Sequence, residues 1–91
     1  MNITAEFHGV LAEWVGTRSA SFELPAGATY FDLMAEIGRR YRRNMPEQLW
    51  DAERNLFKKV QAHGKGRMLT AADTPLLEGE QIQFLLMIAG G

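Results

Sequence analysis

Two stretches at opposite ends of the chain, residues 2–8 and 81–88, alternate apolar and polar side chains with a period of two. In the first, Ile3, Ala5 and Phe7 alternate with Asn2, Thr4, Glu6 and His8; in the second, Ile82, Phe84, Leu86 and Ile88 share one face. Side chains of a strand point alternately to its two faces, so each stretch predicts a strand with one face in a core. The other face of 81–88 starts polar, with Gln81 and Gln83, and ends apolar, with Leu85 and Met87. Residues 19–24 alternate likewise, with Ala20, Phe22 and Leu24 opposed to Ser19, Ser21 and Glu23. The short link between the first two strands predicts an antiparallel hairpin, with 11–16 read as the connecting segment.

Between these strands lies one strong helical signal. Pro25-Ala26-Gly27 makes a turn, after which Thr29 and Asp32 form a capping pair at a helix start. Tyr30, Leu33, Met34, Ile37 and Tyr41 then recur on one stripe. Gly38 interrupts this helix at a cost of about 1 kcal/mol relative to alanine, and is expected to let it approach the sheet closely. Arg39, Arg40, Arg42 and Arg43 crowd its C-terminal end, where the helix dipole favours cations. That reading of the cluster, as a solvated helix end, stands against a surface for an acidic partner or nucleic acid.

Residues 44–58 predict a second helix opened by Pro46, with Leu49, Trp50 and Phe57 turned inward. Short strands are expected at 59–63 and 67–69 around the turn Gly64-Lys65-Gly66, and further turns at Asp73-Thr74-Pro75-Leu76 and Glu78-Gly79-Glu80. Met34, Met45 and Met68 are expected to fill the core. The element order is that of an α+β domain, a mixed sheet of four to five strands with one main helix packed on one face.

Ninety-one residues suffice for one domain and one modest core, too little to enclose a large cofactor cleft as well, so an enzyme complete in itself is not expected. The formal charge of −1 offers no bulk attraction to nucleic acid or an anionic membrane. There is no cysteine, hence no disulfide, thiolate metal site or cysteine nucleophile. His8 and His63 have no metal-binding spacing. No signal peptide or spanning stretch is read, and a cytoplasmic setting is the expectation.

The sequence closes on Ala89-Gly90-Gly91 directly after the last strand. A diglycine has no side chains, so it can thread a narrow channel in any backbone conformation. Three extended residues reach about 10 Å, enough to carry an α-carboxylate into another protein's active site. The alternative is a frayed end without function. Leu85 and Met87 raise a parallel choice: a docking patch leading to the tail, or the cover of a second small core.

Four segments together resemble a known family: Ile3-Thr4-Ala5-Glu6-Phe7 with Leu11 and Gly16; Leu24 to Thr29 with Asp32-Leu33; Asp73-Thr74-Pro75-Leu76 with Gly79-Glu80-Gln81-Ile82; and Ile88-Ala89-Gly90-Gly91. The set is similar to the small subunit of molybdopterin synthase and to the sulfur carrier of thiamine biosynthesis, both ubiquitin-like β-grasp proteins. The resemblance implies a single β-grasp domain over 1–91 with a flexible tail at about 89–91. It implies that a ubiquitin-activating-like adenylyltransferase uses ATP to adenylate the Gly91 carboxylate. Sulfur then displaces the nucleotide to give a thiocarboxylate, and the tail enters the large subunit of a molybdopterin-synthase-like enzyme. The chain binds no cofactor of its own in this scheme, and neither nucleic acid nor membrane. Gly91 and Gly90 carry over by motif; Phe7, Leu85, Met87, Ile88 and Ala89 are the expected partner-binding residues.

The chain departs from the family where Met87-Ile88 replaces a proline near the tail's start, where Gly79-Glu80 stands for the common Gly-Asp, and in a longer 44–58 segment. Three functions stay open at this point: a sulfur carrier, for molybdopterin first and thiamine or another product second; a modifier conjugated through Gly91; and an interaction module with an inert tail.

Overall fold

The computed structural model describes residues 1–87. Its elements are β1 (Asn2–Phe7), α1 (Val10–Val15), β2 (Ser19–Glu23), α2 (Tyr30–Tyr41), a 3₁₀ turn (Arg42–Asn44), β3 (Trp50–Asp51), β4 (Leu56–Phe57), β5 (Val60–Gly64), β6 (Arg67–Leu69) and β7 (Gln81–Leu86). Five strands form one mixed sheet in the order β2-β1-β7-β5-β6, and β3 and β4 form a separate ribbon. The two terminal alternating stretches, β1 and β7, lie side by side and parallel at the sheet's centre, with Ala5 opposite Ile82 and Phe7 opposite Phe84.

The inner face carries the core: Ile3, Ala5, Phe7, Phe22, Ala62, Ile82 and Phe84 are buried beneath α2. Helix α2 begins where the capping pair predicts, with the Thr29 N–H donating to Asp32 Oδ2 at 2.8 Å and the Asp32 N–H to Thr29 Oγ1 at 3.4 Å. Leu33, Met34 and Ile37 of its stripe are buried. Each such side chain contributes roughly 1.5–3 kcal/mol through area removed from water.

Four local expectations are corrected. Residues 11–16 are not a plain connection but end the short helix α1, which buries Leu11 and Val15, an i, i+4 pair, and stops at Gly16 with φ +98. Residues 44–58 form no second helix. Pro46 is followed by a turn, and Trp50 and Asp51 pair with Phe57 and Leu56. Asp51 caps the intervening turn by accepting from the Glu53 and Arg54 N–H groups, and Asn55 takes the left-handed φ of +59 that lets the chain reverse. Leu49, Trp50 and Phe57 are nevertheless buried, as expected of them in either conformation. Gly38 does allow a close approach, but to this ribbon rather than to the sheet: a Cβ there would lie 2.6 Å from Trp50 Cζ2. Among the methionines, Met34 is core and Met45 packs against it, whereas Met68 is 48% exposed.

No helix among the described residues is long and apolar enough to cross a membrane.

Candidate functional site

Strand β7 is the element that leads to the tail, and it is paired on both sides, parallel to β1 and antiparallel to β5. Its beginning is fixed by Glu80, the one buried charged side chain among the described residues. Arg67 donates to both carboxylate oxygens, from Nη2 to Oε1 at 2.7 Å and from Nε to Oε2 at 3.1 Å. The backbone N–H of Leu77 donates to Oε1 and that of Lys65 to Oε2, each at 3.1 Å. Burial alone would raise the Glu80 carboxyl; the Arg67 guanidinium and the two N–H groups outweigh it and hold the group below the usual carboxylate range. Gly64 makes this possible, because a Cβ there would overlap Oε2. Arg67 Nη2 also donates to Pro75 O at 2.8 Å, so a single clasp joins the β5–β6 turn, the loop before β7 and β7 itself. Glu80 was legible only as a departure from the family's aspartate; nothing in the local pattern marks it as buried.

The far end of β7 is held more simply. The Met87 N–H donates to Lys59 O at 2.7 Å, and Lys59 adopts φ +56, left-handed for a residue with a Cβ.

On the outer face Leu85 and Met87 are 38% and 47% exposed, so neither covers a second core. Met68 joins that face: it is opposite His63, which is opposite Gln83 on β7, while Gln61 is opposite Leu85. His63 Nε2 and Gln61 Oε1 lie 3.0 Å apart and share a hydrogen bond. Over β7, β5 and β6 the outer face is thus three apolar side chains spaced by amides and an imidazole. Phe7, expected on the partner surface, is corrected to a core residue. It is 3% exposed, stacks on Phe84 at 5.5 Å between ring centroids, and meets Tyr41 and Phe57 edge-on. The alternation that places it with Ile3 and Ala5 turns all three toward α2. Ile88, Ala89, Gly90 and Gly91 lie outside the described residues.

A cleft of about 480 Å³ opens beside the clasp, lined by His63, Lys65, Leu77, Glu78, Gln81 and Gln83 among others. No group of three His, Asp or Glu side chains that could hold a metal ion occurs among the described residues.

The architecture, a five-stranded mixed sheet with one long helix across it, is the ubiquitin-like β-grasp. SAMP1 from Haloferax volcanii superposes with a TM-score of 0.81 at 15% identity, over 100% of both chains. A putative molybdopterin converting factor, subunit 1, from Pyrococcus furiosus gives 0.74 at 21% identity, over 97% of this chain and 99% of the other. The small archaeal modifier protein 1 from Methanosarcina acetivorans gives 0.73 at 16% identity, over 99% and 96%. No protein-family profile matches the sequence, and no curated protein matches it as a relative.

At these identities the likeness defines the fold.

Proposed function

We propose that this chain is a sulfur carrier whose working group is the Gly91 carboxylate. The observation that carries the reading is the place of β7. The strand is central, paired along both edges and locked at its start by the Glu80 clasp, so it presents a fixed end at Met87, four residues before Gly91. A rigid strand followed by Ala89-Gly90-Gly91 suits delivery of a slender tail into another protein.

In this reading an adenylyltransferase joins the carboxylate oxygen to the α-phosphate of ATP and releases pyrophosphate. A sulfide-equivalent nucleophile attacks the acyl carbon, AMP leaves, and a thiocarboxylate remains on Gly91. Activation is needed because a carboxylate is a poor electrophile; the carrier supplies the acyl group and the partner supplies ATP and the electrostatics. Leu85 and Met87, with Met68 added, form the apolar part of the face that meets the partner, and Ile88 and Ala89 are the partner contacts expected between that face and Gly90 in sequence. The sulfur acceptor proposed first is the pterin precursor of molybdopterin, with a large synthase subunit as the receiving partner. Its support is the fold likeness to a protein described as a putative molybdopterin converting factor subunit. Likeness to small archaeal modifier proteins favours a second reading, in which the activated Gly91 is attacked by a lysine amine of a target to form an isopeptide bond.

The test is the intact mass of the protein from its own host in thiol-free buffer. The carrier reading requires a chain ending at Gly91 and a fraction heavier by the difference between sulfur and oxygen, mapped to that residue and lost on alkylation. Plain carboxylate alone, even after incubation with ATP, sulfide and host extract, would remove it. Gly91–lysine linkages in the proteome would put the modifier in its place.

A further inference from the structure

The formal charge of −1 hides an uneven distribution. Because β1 and β7 are parallel, both finish at one end of the sheet, where the described chain stops at Met87. Strand β2 runs antiparallel to β1 and so starts there: the Arg18 carbonyl accepts the Phe7 N–H at 2.8 Å. Strand β5 runs antiparallel to β7, which brings Lys58 and Lys59 to the same end, Lys59 bonded to Met87 itself. The turn after α2 joins them. Asn44 Nδ2 donates to Val15 O at 3.1 Å, and this places Arg42 and Arg43 beside α1.

Five cationic residues from three separate segments therefore lie at the end of the sheet where β7 finishes, all exposed and none in an ion pair among the described residues. Glu6, Glu13 and Glu47 are carboxylates at this end, and Lys58 shares a cleft with Glu47, Asp51 and Glu53, so the cationic excess rests on Arg18, Arg42, Arg43 and Lys59; Glu23, Asp32, Asp73, Glu78 and Glu80 lie toward the other end. The helix dipole explains Arg42 and Arg43 at the end of α2 but not Arg18, Lys58 or Lys59, which belong to no helix.

We propose that this basic end is the electrostatic docking surface for an acidic rim on the adenylyltransferase that activates the tail, a partner class that rests on the carrier reading above. Charge around the exit steers the tail toward its channel and sets orientation before apolar contact forms; such steering speeds association and weakens with salt. A nucleic acid fits less well, since the chain as a whole is slightly acidic and the basic groups are confined to one end of the sheet.

The experiment compares two triple variants of equal net charge, Arg18→Glu/Arg42→Glu/Arg43→Glu at the basic end and Arg39→Glu/Arg54→Glu/Lys65→Glu elsewhere. Thiocarboxylate formation on Gly91 is timed by intact mass in host extract lacking the native protein, with ATP and sulfide, at about 50 and about 500 mM KCl. Expected at low salt is a rate at least about tenfold lower for the first variant and within about twofold of wild type for the second, with the gap closing at high salt. Arg→Lys at the three positions restores the rate, and Arg→Gln replaces Arg→Glu if thermal melts show the first variant unfolded. Equal rates for both triple variants, with wild type active, would overturn the docking surface and leave the carrier intact. An inactive wild type would overturn the carrier reading and this surface with it. Binding of a DNA duplex of about twenty base pairs at about 150 mM salt, lost in the first variant, would reassign the basic end to nucleic acid.

Discussion

The two ends of β7 are built differently. At its start, Glu80 engages Arg67 and two backbone N–H groups inside the fold, and Gly64 is side-chain-free to leave room. At its finish, one backbone hydrogen bond joins Met87 to Lys59, and the neighbouring side chains Leu85 and Met87 face solvent. A buried, multiply bonded carboxylate tolerates no change of register, because any slip would strand it without partners. A single backbone bond at the strand's end fixes the direction of departure and little else. The contrast suits a strand whose first task is to be held and whose second is to present a tail.

The largest expected effect breaks the held end. Glu80→Ala leaves the Leu77 and Lys65 N–H groups and the Arg67 guanidinium without their acceptor. Arg67 is partly exposed and can rehydrate, so the loss is set at roughly 2–4 kcal/mol, below that of a fully buried broken pair, read from urea unfolding midpoints. An effect under about 0.5 kcal/mol would show that the clasp is ornamental.

A pH series sharpens the same end. The folded-state carboxyl of Glu80 lies below its ordinary value of 4.5, so its contribution is fully present above that value. It is lost as pH falls from 4.5 through the lower folded value. Glu80→Gln is expected to be less stable than wild type at neutral pH and to close part of that gap in acid. A gap independent of pH would mean that shape, not charge, holds the clasp.

At the finish, Lys59→Gly removes the left-handed cost borne by a side chain at φ +56. That cost is about 1–2 kcal/mol, offset by about 0.5–1 of extra freedom in the unfolded chain, so a gain near 0.5 kcal/mol is expected in thermal melts. Destabilisation would show that the lysine side chain has a structural role.

The smallest stability effect belongs to Met87→Asp. With the side chain 47% exposed, stability is expected to stay within about 0.5 kcal/mol of wild type. Partner association, measured by Gly91 modification in host extract, is expected to fall. A large loss of stability would make Met87 core instead of surface.

By itself the sequence determined the pieces whose signal is local. The alternation of β1, β2 and β7, the Thr29–Asp32 cap and the stripe of α2 each follow from a period or a cap that a few neighbouring residues define. It also determined the diglycine on which the proposed chemistry rests, since that is a matter of composition and position. Tertiary structure decided what local periods leave ambiguous. Leu49, Trp50 and Phe57 fit the inner side of a helix or of a hairpin, and the close seat of Trp50 against Gly38 belongs to the ribbon. Phe7 shares a face with Ile3 and Ala5 by alternation, but only the placement of α2 over that face buried it and left Leu85, Met87 and Met68 outside. The Glu80 clasp, and the placing of Arg18, Arg42 and Lys59 at one end of the sheet, bring together residues far apart along the chain. Such contacts arise from strand order and direction, which no short stretch of sequence contains.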